Sequence, residues 1–166
     1  MFSRDEWELF SFIGIALGLP LSILVFSWEQ RLRRLSEQEE VYSRLADEYI
    51  SFQKLVLQNA DLHLGTTRPV NALTVDQQER KHVMFDILTA LFERAYILVF
   101  TRQMSRQKRR LWQTWEDYMR YWCRREDYRA VLPELLEGED PEFIEHIKRL
   151  AAEESTKASG KITASN

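Results

Sequence analysis

The side chains best equipped for chemistry in this chain are three histidines, one cysteine and a run of cations threaded with tryptophan. Glu79 and His82 make an ExxH, the carboxylate–imidazole spacing that helical di-iron bundles use in duplicate. The second copy is missing, because Glu142 and His146 are four residues apart and His63 stands alone. No metal or other cofactor is therefore expected. Cys123 lies next to Arg124 and Arg125, which would lower its thiol pKa if exposed. Its place on an aromatic helix face instead suggests a half-buried, inert thiol. The chain has no HExxH, P-loop, GxSxG or GxGxxG, and no paired arginine and histidine of the ribonuclease kind. An enzyme would have to gather Glu79, His82, Asp86 and Glu93 into one pocket, and the expectation is that the chain is not an enzyme.

The basic run has more to offer. Arg102, Arg106, Lys108, Arg109 and Arg110 crowd together, and Trp112, Trp115, Met119 and Trp122 follow at helical spacing. Cations interleaved with aromatics can hold phosphates while bases stack, so a nucleic-acid-binding effector using Arg106 to Arg129 is one alternative. The 3.6-residue spacing gives the tryptophans another task, packing on a neighbouring helix, and leaves the cations to meet an anionic surface. A net charge of -3 supplies no overall attraction to nucleic acid, which is not expected as a partner.

Those cations must be positioned by helices. Five glycines and four prolines in 166 residues are too few for a turn-rich sheet protein, and apolar residues recur at helical spacing. The expected fold is all-α: a single N-terminal transmembrane helix continuing into a cytoplasmic bundle of about four helices. The uncharged run from Leu9 to Trp28 would span roughly 30 Å as a helix, the thickness of a bilayer's hydrocarbon core. It lacks the basic leader and small-residue cleavage site of an export signal. Trp7 and Trp28 bracket it as interfacial aromatics do, and Pro20 should produce at most a mild kink. Arg31, Arg33 and Arg34 follow it, so the positive-inside rule puts the N-terminus outside and the C-terminal domain in the cytoplasm. Ser11, Gly14, Gly18 and Ser22 share one narrow face of the run, a small-residue seam suited to a homo-oligomer.

Beyond the anchor, Leu35, Tyr42, Tyr49 and Val56 recur every seven residues, with Leu45 and Phe52 between them. This pattern fits a coiled coil or one face of an intramolecular bundle, and the bulky aromatics favour the bundle. Asp61 to Leu73 reads as a connection, and Thr74 with Gln77 as a capping box opening the next helix. From Val75 to about Arg102 the apolar residues go nearly all round, as in a central helix enclosed by others. Asp86, Glu93 and Arg94 weigh against residues 83–100 being a second span, since each would cost about 2.5 kcal/mol or more at mid-bilayer. Glu93 and Arg94 should each pair with a neighbouring helix. A helix running out about 46 Å and another returning about 42 Å would bring Met104 to Lys108 back toward the headgroups. Arg106, Lys108, Arg109 and Arg110 would then join Arg31, Arg33 and Arg34 in a collar contacting anionic lipid.

Pro133 limits one late helix, Asp140 and Pro141 start the last, and the polar stretch after Glu154 reads as a disordered tail. The domain plan is an anchor at 1–28, a bundle at 29–153 and a tail at 154–166. The function this implies is a membrane-anchored helical interaction or scaffold module that self-associates and meets a further protein partner.

Overall fold

The computed structural model describes residues 39–65 and 72–163, together with Phe26, Trp28 and Glu29. The chain divides into two compact units, Met1–Val41 and Tyr42–Asn166, and the second contains the bundle. Among the described residues the fold is entirely helical. Helix α1 is described over residues 39–58 and leads into a 3-10 turn at Ala60–Leu62. It is followed by α2 (Val75–Val99), α3 (Arg106–Cys123), α4 (Glu126–Leu135) and α5 (Pro141–Thr163).

The helix starts follow from local chemistry. Thr74 Oγ1 accepts from the Gln77 amide at 3.2 Å while Gln77 Oε1 accepts from the Thr74 amide at 3.0 Å. Two amides that α2 could not satisfy by its own ladder are thereby paired. Ser105 caps α3 through the Lys108 amide, and Asp140 Oδ1 caps α5 through the Phe143 amide at 2.9 Å, with Pro141 preset for the first turn. Between α4 and α5 the chain turns at Gly138, whose φ of 92° is left-handed backbone that a side chain would strain. Pro133 lies inside the ten-residue α4.

Packing then follows the aromatic periodicity. Trp112, Trp115, Met119 and Trp122, at intervals of three and four along α3, are all buried. Tyr49 and Phe52 of α1 meet this face: Tyr49 stacks on Tyr118 at 4.2 Å and Phe52 sits edge-on to Trp122 at 5.6 Å. Leu45, Tyr49, Phe52 and Val56 thus serve an intramolecular bundle, while Leu35 of the same repeat lies outside the described residues. From α2, Phe85 packs on Trp122 and Tyr128, and Tyr96 on Trp112 and Phe143. Burying each such ring contributes about 1.5–3 kcal/mol. The Tyr128 hydroxyl, fully buried, meets Thr89 Oγ1 at 3.0 Å, so no polar group is stranded there.

Two expectations change. Helix α2 is not enclosed all round: Val83, Ile87, Ile97 and Leu98 are 42–56% exposed, because its neighbours cover only the opposite faces. Helix α5 runs on to Thr163, past the point where the sequence suggests a tail at Glu154. Glu154 is itself buried, held by Arg120, Arg124 and Lys157 at 2.6–3.4 Å. Burial works against its charge, but three cations hold its carboxyl below the usual carboxylate range. Among the described residues no helix is long and apolar enough to cross a membrane, α2 included. The run from Leu9 to Val25 lies outside the described residues, and so do Ser11, Gly14, Gly18, Ser22, Arg31, Arg33 and Arg34.

Candidate functional site

Cations occur throughout the bundle, but most are tied to carboxylates. Arg80 pairs with Asp61 and Asp76, Arg94 with Glu48, and Arg149 with Glu153. Arg102, the first of the basic run, pairs with Glu142 in the first turn of α5 at 3.1 Å. Arg125 is buried; it donates to the Leu64 carbonyl at 3.1 Å and binds Asp127, which Lys81 also reaches. That guanidinium pins the connection after α1 to the start of α4. Sequence offered no sign of its burial beyond the nearby Asp127.

The head of α3 is different. Arg106, Arg109 and Arg110 are exposed and Lys108 is half-buried, and none of the four has an ion pair among the described residues. Arg109 and Arg110 follow Arg106 by three and four residues, which places the three on one face of the helix, while half-buried Lys108 lies on the other side of the same turn. No acidic residue shares the first turn. This is the positive end of the helix dipole, where cations repel the unsatisfied amides and anions are favoured. The arrangement disfavours the isolated helix and leaves a concentrated site for an external anion.

The tryptophans that follow do not line this site. Trp112, Trp115 and Trp122 are at most 5% exposed and face the core, so they offer no platform for stacking bases.

Residues that could do other chemistry are dispersed. His82 Nε2 is 3.9 Å from Glu134, Glu93 Oε1 accepts the Asp140 amide at 2.5 Å, and Glu79 is exposed. Of the four that an enzyme would gather, Asp86 alone lines the groove between α1 and α2. His63 is on the turn after α1, in left-handed backbone. His146 is buried beside Tyr96, Phe100 and Trp112. Arg149 can only donate, so His146 Nδ1 accepts from it at 3.0 Å and the ring proton sits on Nε2. Burial, followed by the Arg149 charge, lowers its pKa and keeps the ring neutral. Among the described residues no group of three or more His, Cys, Asp or Glu could hold a metal ion. Cys123 is wholly buried and its pKa is pushed up to about 12, mainly by desolvation, so its thiol stays protonated and unreactive. Glu139 is pushed up to about 7 by burial and by the neighbouring Glu93 carboxyl.

Glu93 and Arg94 do reach neighbouring elements, as their adjacent positions suggested: one caps the start of α5, the other meets Glu48 on α1. Compared with known proteins, the chain matches no family model, no curated protein and no solved structure.

Proposed function

We propose that this chain is a membrane-anchored helical interaction module whose cytoplasmic bundle meets anionic lipid through the head of α3. Arg106, Lys108, Arg109 and Arg110 carry this reading: among the described residues they have no carboxylate partner, in a bundle whose other cations are mostly paired. Each cation near an anionic leaflet contributes up to about 1 kcal/mol, and four together suffice for a salt-sensitive contact. The uncharged run from Leu9 to Trp28, followed by Arg31, Arg33 and Arg34, is the anchor in this reading. Self-association through Ser11, Gly14, Gly18 and Ser22, and a further protein partner on the bundle, belong to the same reading. Burial of Trp112, Trp115 and Trp122 favours lipid over nucleic acid as the anionic surface.

The unit at 42–166 carries its own aromatic core, which allows a test without the anchor. It should sediment with vesicles containing phosphatidylserine, release as salt rises, and ignore vesicles of phosphatidylcholine alone. Binding to both vesicle types alike would remove the lipid contact. Tighter binding to a single-stranded oligonucleotide would put nucleic acid in its place.

A further inference from the structure

Helix α2 keeps one face open along its whole length. Val83, Ile87, Ala90, Arg94 and Ile97 are exposed at intervals of four, three, four and three, the spacing of a helix–helix seam, and Leu98 widens it. Beside this seam runs a groove of about 530 Å³ whose other wall is α1, through Asp47, Glu48, Ser51 and Leu55. Small side chains, Ser51 and Ala90, line it from opposite walls, so a neighbouring helix can approach closely. Isolated apolar residues on a surface need no explanation, whereas Val83, Ile87, Ala90 and Ile97 share one face beside a groove.

The order of residues along the stripe is symmetric about Ala90. Asp86 lies four residues before it and Arg94 four after; Val83 lies seven before and Ile97 seven after. A two-fold contact requires a patch complementary to itself. Two antiparallel copies of α2 crossing at Ala90 satisfy that demand: alanine meets alanine, Val83 meets Ile97, and Asp86 meets Arg94. Within one chain Asp86 and Arg94 are about 12 Å apart along the helix and do not pair, and Asp86 has no ion pair among the described residues. Arg94 spends Nη1 on Glu48, and its guanidinium has further donors for a second carboxylate.

We propose that a second copy of this chain packs antiparallel on α2, with the two-fold axis at Ala90 and reciprocal Asp86–Arg94 ion pairs. The contact uses α2 alone and does not rest on the membrane-anchored reading. Cysteine cross-linking of the full chain tests it. Cys123 is buried and does not compete. Under mild oxidation Ala90→Cys should give a covalent dimer. Val83→Cys alone should not, because its two copies lie about 21 Å apart along the paired helices, but it should link to Ile97→Cys in a mixture.

In the Ala90→Cys background, Asp86→Arg sets cation against cation and should lower the yield about tenfold or more. Mixing that variant with Arg94→Asp, also carrying Ala90→Cys, matches both ion pairs again and should restore it, which excludes misfolding as the cause of the loss. Adding Gly14→Ile and Gly18→Ile should leave the cross-link intact, whereas its disappearance would assign the association to the N-terminal run and overturn the α2 contact. No dimer from Ala90→Cys, as when a basic helix of another protein covers the groove, overturns it too. So does a Val83→Cys dimer formed as readily as the Ala90→Cys one.

Discussion

The two ends of α3 use the same residue type for opposite ends. Near its C-terminus Arg120 is held by Glu116 at 2.8 Å on its own helix and by Glu153 at 2.6 Å on α5, with buried Glu154 at 3.4 Å. Arg124 adds a contact of 3.2 Å to Glu154, so these guanidinium groups fasten α3 to α5. At the N-terminus Arg106, Arg109 and Arg110 pair with no carboxylate among the described residues and sit at the helix end where positive charge is least welcome. An arginine is structural where a carboxylate of another helix faces it. Where none does, as at Arg106, Arg109 and Arg110 among the described residues, the arginine ties no helix to another. The distinction lies in the partner helix and not in the arginines themselves.

Replacing Arg106, Lys108, Arg109 and Arg110 together by Gln should sharpen this contrast most. Partition of the 42–166 unit onto phosphatidylserine vesicles should fall on the order of a hundredfold or more, with the urea midpoint unchanged or slightly raised. A parallel loss of stability would mean that these cations hold the fold. Arg120→Met should do the reverse, costing about 2 kcal/mol in urea unfolding because Glu154 loses a partner inside the protein, while vesicle binding by the folded fraction persists. The smallest effect is expected at Glu139. Its folded pKa of about 7 lies above the ordinary 4.5, so the native state holds the proton more tightly. The stability it contributes is complete below about pH 4.5 and lost as pH rises through about 7. Glu139→Gln should therefore flatten the pH dependence of unfolding and raise stability at pH 8 by under about 1 kcal/mol, since solvent screens the carboxyl. An unaltered pH profile would exclude Glu139 as its source.

What could be read from the sequence was local or periodic. The Thr74–Gln77 box, the Asp140–Pro141 start and the buried tryptophan face of α3 each depend on residues within a turn or two of one another. The rest depended on distant partners. Glu154 looked like the start of a polar tail because the cations that hold it there, Arg120 and Arg124, lie about thirty residues away. Helix α2 looked fully enclosed because an apolar periodicity shows which residues can be buried and not how many neighbours arrive to bury them. The basic cluster was visible as composition. That Arg102 would leave it for Glu142 while Arg106 to Arg110 stayed unpaired depended on where α5 begins.

The central claim, an anchored chain with its bundle on the cytoplasmic side, is most directly tested by protease protection of the full-length protein in sealed vesicles, combined with alkaline carbonate extraction. The protein should remain in the carbonate pellet, and its C-terminal portion should be digested in inside-out vesicles and spared in right-side-out ones. Release into the carbonate supernatant, or digestion of the C-terminal portion in right-side-out vesicles, would contradict it.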